Sequence, residues 1–62
     1  MKRLTDKELA TIMQAASYLT QIQNANDEVI NLAYYLWQIY NRHMTKDRRN
    51  EVYNIRKYLF NF

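Results

Sequence analysis

Residues Asp27 to Asn41, with the sequence DEVINLAYYLWQIYN, decide the fold. At about 100° per residue, apolar side chains surround most of this helix, and only Asp27, Asn31 and Gln38 form a polar stripe. The main apolar face comprises Val29, Leu32, Ala33, Leu36, Ile39 and Tyr40. One flank of this face comprises Ile30, Tyr34 and Trp37, and the other flank is Tyr35. So apolar a helix is either enclosed by neighbours or covered by a partner chain. We therefore predict that it is the central helix of the fold.

The length of 62 residues predicts a single helical domain over residues 1–62. At this size, folding buries only about 60% of the surface that the unfolded chain exposes. The chain has no cysteine and one histidine, which leaves no disulfide and no recognisable zinc site to add stability. Helix packing or oligomerisation must supply that stability instead.

The chain contains neither glycine nor proline, which are the residues that hairpin turns and β-sandwich corners usually need. This composition argues against an all-β fold. We predict an all-α fold, a small three-helix bundle in which an antiparallel helical hairpin is followed by an amphipathic C-terminal helix. The surplus of apolar surface on the middle helix leads us to expect a dimer.

No apolar run approaches the roughly 18 residues of a membrane-spanning helix, so we expect no membrane partner. The opening MKRLTDKEL lacks the apolar region of a signal peptide, and we therefore expect a cytoplasmic location. Frequent Asn, Lys, Ile and Tyr residues suit a low-GC bacterial or phage gene.

The first helix is predicted from a capping box, in which Thr5 is followed three residues later by Glu8. Its apolar face consists of Leu9, Ile12, Met13, Ala16 and Leu19. The periodicity fades at Gln23, and the segment Asn24-Ala25-Asn26 tolerates a left-handed residue or caps the next helix. So short a connection predicts an antiparallel hairpin.

The second helix is predicted to end at about Arg42, and Thr45 is a candidate N-cap for a third helix from Lys46 to about Leu59. Since no glycine or proline enforces a break, one continuous helix is an open alternative. The apolar stripe predicted for the third helix is Val52, Ile55, Tyr58 and Leu59, continued by Phe62.

The residues needed for catalysis are scarce. Ser17 and His43 are each the single example of their type, and the acidic pairs Asp6/Glu8 and Asp27/Glu28 lie in first turns, where they stabilise helix ends. Without glycine there is no phosphate-binding loop. We therefore expect no enzyme, no catalytic or metal site, no cofactor and no small-molecule substrate.

The C-terminal third is basic. Residues 1–41 carry three Lys/Arg against four Asp/Glu, net −1, whereas residues 42–62 carry six against two, net +4. The predicted basic face comprises Arg42, Lys46, Arg48, Arg49, Tyr53, Arg56 and Lys57. It is either a solvated flank whose arginine stems cover neighbouring rings, or a surface for an acidic protein partner or a nucleic acid.

The aromatic surplus of the second helix favours an interface, because tyrosine and tryptophan are frequent at binding hot spots. The predicted partner or dimer interface comprises Ile30, Tyr34, Tyr35 and Trp37. The alternative is that these rings close a monomeric core.

Our leading functional hypothesis is a small helical protein, of bacterial or phage type and homodimeric, that binds and inhibits or regulates a protein partner. A dimeric nucleic-acid-binding transcriptional regulator, which uses the basic face of helix 3, is the alternative from another class. A structural component of a larger assembly is a third.

The start of the chain, Met1-Lys2-Arg3-Leu4-Thr5-Asp6, resembles that of small helical-hairpin inhibitors of sporulation histidine kinases. The resemblance covers one capping motif, and the third helix has no counterpart in those inhibitors. It implies only that such a chain can act by occluding a partner.

Overall fold

The computed structural model describes residues 3–60, which form three helices and no β-strand. They are α1 (Asp6–Thr20), α2 (Asp27–His43) and α3 (Lys46–Phe60). The predicted all-α class and three helices are confirmed, and the alternative of one continuous helix from α2 into α3 is wrong. The predicted continuation to Phe62 lies outside the described residues.

Side-chain caps fix the start of the first two helices. The Thr5 hydroxyl accepts from the Glu8 amide at 3.0 Å, and the Glu8 carboxylate accepts from the Thr5 amide at 2.9 Å. At α2, Asn26 Oδ1 accepts from the Val29 amide at 2.9 Å. Both caps satisfy amides that have no partner inside the helix, so the two helices begin where the sequence predicts.

The two connections are short and end each helix sharply. Asn24 has a φ of 59°, the left-handed conformation that asparagine tolerates better than most residues. Met44 has an extended backbone (φ −79°, ψ 133°), which separates α2 from α3. Within the α2–α3 link, the Thr45 carbonyl accepts from the Arg48 amide at 3.2 Å.

The helices alternate in direction. Leu9 near the start of α1 shares the core with Tyr40 near the end of α2, so these two helices are antiparallel. Arg48 bonds to Asp6, and Arg56, eight residues later, bonds to Gln14, eight residues after Asp6. The third helix therefore runs parallel to α1.

The central helix is α1, and the prediction that α2 is central was wrong. Among residues 3–60, α1 packs against both other helices, whereas the backbones of α2 and α3 do not approach closely. The small side chains of Ala10 and Ala16, both fully buried, let neighbouring helices approach α1. The large aromatic rings of α2 prevent several helices from approaching its backbone as closely. The result is a flat molecule of 35 × 30 × 17 Å.

The core is small and lies where all three helices meet. It consists of Leu9, Ala10, Met13, Tyr40 and Val52, with Leu4, Ile12, Trp37, Met44 and Ile55 packed around it. Leu32, which the sequence places on the main apolar face of α2, is 48% exposed. That part of the predicted core is wrong because α1 covers a narrower strip of α2 than the apolar circumference suggests.

The buried side of α3 also differs from the predicted stripe. Val52 is buried and Ile55 is half-buried, as expected, but Tyr58 is 83% exposed and Leu59 is exposed. The buried position that replaces them is Arg48, four residues before Val52. With Arg48 and Val52 at the centre of the packed face, Tyr58 lies about 100° away around the helix.

We expect Thr5→Ala to lower the free energy of unfolding by about 1 kcal/mol, because it removes half of the capping box. The hydroxyl of Thr11 bonds to the Lys7 carbonyl within the helix, so Thr11→Ala is a matched control that changes stability little. Urea unfolding of the two variants checks this. Equal losses would show that the cap has no special role.

Candidate interaction surfaces

An apolar groove of about 580 Å³ lies where α1 ends and α2 begins. Three α2 side chains at helical spacing, Ile30, Tyr34 and Trp37, form one wall, and buried Ala33 lies between them. The rest of the lining comes from the end of α1 and the connection, namely Leu19, Thr20, Ile22, Asn24 and Ala25. Among residues 3–60, no charged side chain lines the groove. Such a surface suits an apolar group of a partner.

The three side chains of this wall differ in exposure. Tyr34 is 66% exposed and Ile30 is 44% exposed. Trp37 is half-buried, and its ring meets Tyr40 edge-on, with ring centroids 5.4 Å apart and an interplanar angle of 89°. Trp37 therefore packs against both the groove and the core, whereas Tyr34 and Ile30 are exposed to solvent.

The structure does not bring the fourth predicted interface residue to this groove. Tyr35 follows Tyr34 in the helix, so it points about 100° away, and it is 59% exposed. Leu32, 48% exposed, lies three residues before it on the same side of α2. The apolar surface of α2 thus forms two separate flanks.

The predicted basic face is divided as well. Arg42, Lys46, Arg49 and Lys57 are exposed, and Tyr53 is 40% exposed beside them. Arg48 is buried instead, with only 8% of its surface exposed. Arg56 is half-buried, and its Nε donates to Gln14 Oε1 at 3.1 Å, with its Nη1 3.8 Å from Met13 Sδ.

Arg48 joins three parts of the chain, a role that the sequence analysis missed. Its Nε donates to Asp6 Oδ1 at 2.7 Å, its Nη2 to the Leu4 carbonyl at 2.6 Å and its Nη1 to the His43 carbonyl at 3.3 Å. These bonds satisfy the guanidinium, and no buried side-chain N or O atom within residues 3–60 lacks a partner. The signal that could have found it is its place four residues before Val52 and seven before Ile55.

Tyr40 connects the groove to the basic residues. Burial raises the pKa of the Tyr40 phenol above its ordinary value of 10.0, and nearby Tyr53 raises it further, whereas Arg49 and Arg56 lower it. These side chains must lie close enough to Tyr40 for their charges to act on it. Tyr40 thus contacts Trp37, which lines the groove, and is influenced by the charges of Arg49 and Arg56.

The raised pKa predicts a loss of stability in alkali. The folded state holds the Tyr40 proton more tightly than the unfolded state, so stability present below pH 10.0 declines as the pH rises above that value. We expect Tyr40→Phe to flatten this decline, and Tyr58→Phe, at an exposed position, to leave it unchanged. Urea unfolding midpoints at about pH 9 and about pH 11 measure the difference. Identical slopes in all three proteins would contradict the assignment.

The residues weighed for chemistry are not brought together. Ser17 lies near the hairpin connection, whereas His43 ends α2 at the other end of the hairpin. Within residues 3–60, no group of three or more His, Cys, Asp or Glu side chains is placed to hold a metal ion. None of the helices in this range combines the length and apolar character needed to cross a membrane.

No protein-family model, curated protein or solved structure matches the chain. The features that bear on function are the two apolar flanks of α2 and the exposed cations of the basic face.

Proposed function

We propose that this chain is a non-enzymatic helical protein, homodimeric and of bacterial or phage type, that binds a protein partner and thereby inhibits or regulates it. The observation that carries the proposal is the exposure of Tyr34 and Ile30 on the wall of an apolar groove. In a chain of 62 residues with a core this small, apolar side chains left exposed contribute little to folding. Clustered on a groove, they are typical of a surface that binds another molecule.

Burial of the exposed tyrosine in this groove can supply part of the energy of a specific complex. A tyrosine side chain buries 150–250 Å², so covering the exposed part of Tyr34 removes on the order of 100–150 Å² from water. At about 25 cal/mol per Å², this burial contributes roughly 3 kcal/mol before the entropy of association is subtracted. With Ile30 beside it, Tyr34 has the properties of an interface hot spot.

The charges beside the groove indicate the chemistry of the partner. Arg49 is exposed and lies near Tyr40, whose ring meets Trp37 on the groove wall. A protein segment with an apolar anchor for the groove and acidic residues next to it would satisfy both surfaces. A segment presenting such an anchor suits this apolar groove, which lies where α1 ends and α2 begins. By occupying this segment, the chain would sterically block the partner's other contacts and so inhibit the partner.

The structure provides less support for the nucleic-acid alternative. Arg48 and Arg56, two of the cations on the predicted basic face, are committed to bonds with α1 and its flanking segments. Arg49 and Lys57 remain exposed, with Tyr53 between them in the sequence. Their positions are compatible with an acidic protein surface as well as with phosphates.

The test compares Tyr34→Ala with Tyr58→Ala. Both remove one exposed tyrosine ring, but Tyr58 lies on α3 and does not line the groove. Partners captured from the native host by the wild-type chain are identified by mass spectrometry, purified and titrated against all three proteins. We expect Tyr34→Ala to weaken binding at least about tenfold and Tyr58→Ala to leave it nearly unchanged.

Two outcomes would contradict the proposal. Equal affinity of Tyr34→Ala and the wild type for every purified partner would show that the groove is not the binding surface. A salt-dependent shift of duplex DNA that Arg49→Ala weakens would instead support the nucleic-acid alternative.

A further inference from the structure

The flank of α2 that lies away from the groove has the pattern of a helix-pairing seam. Its residues follow a 4-3-4-3 spacing, which keeps them on one line along the helix: Glu28, Leu32, Tyr35, Ile39 and Arg42. Leu32 and Tyr35 are 48% and 59% exposed, and Ile39 is half-buried. The apolar centre of this seam is thus left open by the chain's own helices.

The two ends of the seam carry charges of opposite sign, with Glu28 at one end and Arg42 at the other. Glu28 lies seven residues before Tyr35 and Arg42 lies seven residues after it, so both are about 10.5 Å from Tyr35 along the helix axis. Both side chains are exposed. Neither takes part in the ion pair found among residues 3–60, which joins Arg48 to Asp6.

We infer that a second copy of this chain packs on this seam, with the two α2 helices antiparallel and crossing near Tyr35. A twofold axis at this point brings Glu28 of each protomer to Arg42 of its partner, and it brings the apolar residues of the two seams together. Parallel pairing would place like charges opposite each other at both ends. The antiparallel arrangement also sets the two helix dipoles in opposite directions, which is favourable.

This inference deepens the proposed function, because it assigns the homodimer to one flank of α2 and leaves the groove flank to the partner. The two flanks can therefore be occupied at once. An interface with one helix from each protomer is small for a specific complex, so we expect dissociation in the micromolar range.

A charge-reversal mixture tests the pairing. Glu28→Arg places arginine at both ends of the seam, and Arg42→Glu places glutamate at both ends. A dimer of either variant alone then has two pairs of like charges facing each other. We therefore expect its self-association to be at least about tenfold weaker than that of the wild type. An equimolar mixture restores two opposite-charge pairs in every heterodimer, and we expect it to regain an affinity near that of the wild type.

Sedimentation of each variant and of the mixture provides the readout. Wild-type self-association in both single variants, or a mixture no more associated than its components, would overturn the inference. If either variant proves non-helical by circular dichroism, Tyr35→Ser replaces it, with Tyr58→Ser as the control for loss of an exposed ring. Tyr35→Ser should dissociate the dimer and Tyr58→Ser should not, and equal affinities would again overturn the inference.

These variants leave Ile30, Tyr34 and Trp37 unchanged, so a failure of the seam does not remove the groove. Conversely, loss of partner binding in Tyr34→Ala with an intact dimer would separate the two surfaces. The failure of this inference is thereby distinguishable from the failure of the proposed function.

Discussion

Leu9→Ala is expected to lower the free energy of unfolding by about 2–5 kcal/mol, whereas Leu32→Ala lowers it by less than about 1 kcal/mol. Leu9 is fully buried in the core beside Met13, Tyr40 and Val52. Its truncation removes apolar contacts and leaves a cavity between three helices. Leu32 is 48% exposed, and alanine is the better helix former at such a site.

The two leucines form a matched pair, one on α1 and one on the helix that the sequence would make central. A chain of this length has a total stability of roughly 3–9 kcal/mol, so Leu9→Ala should be partly unfolded in water. Urea titration followed by the fluorescence of Trp37, which packs on the core, measures both variants. Sub-micromolar protein keeps dissociation of a dimer from contributing. A larger loss for Leu32→Ala would contradict the central position of α1.

Arg48→Ala is expected to have the second large effect, a loss of about 2–4 kcal/mol. The substitution removes the donor that serves Asp6, the Leu4 carbonyl and the His43 carbonyl. The Asp6 side chain is 34% exposed and can recover some hydration, which places the expected loss somewhat below that of a fully buried pair. Arg48→Lys should give a smaller loss, since one ammonium cannot reproduce the planar guanidinium bonds.

Arg49→Ala is the control for this experiment, because it removes the same charge from the next position on an exposed side of α3. Its expected effect on unfolding is within about 0.5 kcal/mol. Urea unfolding of the three variants would falsify the assigned role of Arg48 if Arg48→Ala and Arg49→Ala were equally stable.

The ends of the helices were predictable because their signals are local. Thr5 with Glu8 forms the predicted capping box, and the Asn24 to Asn26 segment supplies both a left-handed residue and a side-chain cap. Such signals depend on neighbours three or four residues away. They identify the first helix and the antiparallel hairpin without knowledge of the packing, whereas they left open whether α2 continues into α3.

The choice of central helix was not predictable from the same information. The apolar residues around α2 indicate how much of its surface favours burial. They do not indicate which helix packs against that surface. The deciding residues are Ala10 and Ala16, whose small size allows close approach to α1. Their effect depends on which helices meet there, and this is a property of the whole fold.

The predicted surfaces were divided for a related reason. Helical spacing correctly groups Ile30, Tyr34 and Trp37 on one side of α2, and the structure places all three on the groove. The same spacing cannot tell an exposed arginine from one that bonds across the fold. Arg48 and Arg49 are adjacent in sequence, yet one is buried and the other exposed, because only Arg48 meets Asp6 at the start of α1.

Sedimentation equilibrium of the wild-type chain, between about 1 and 100 µM, tests most directly whether α2 carries surface that another chain covers. We expect an average mass that rises with concentration from that of one 7.6 kDa chain toward that of two. A mass that stays at 7.6 kDa over the whole range would contradict it.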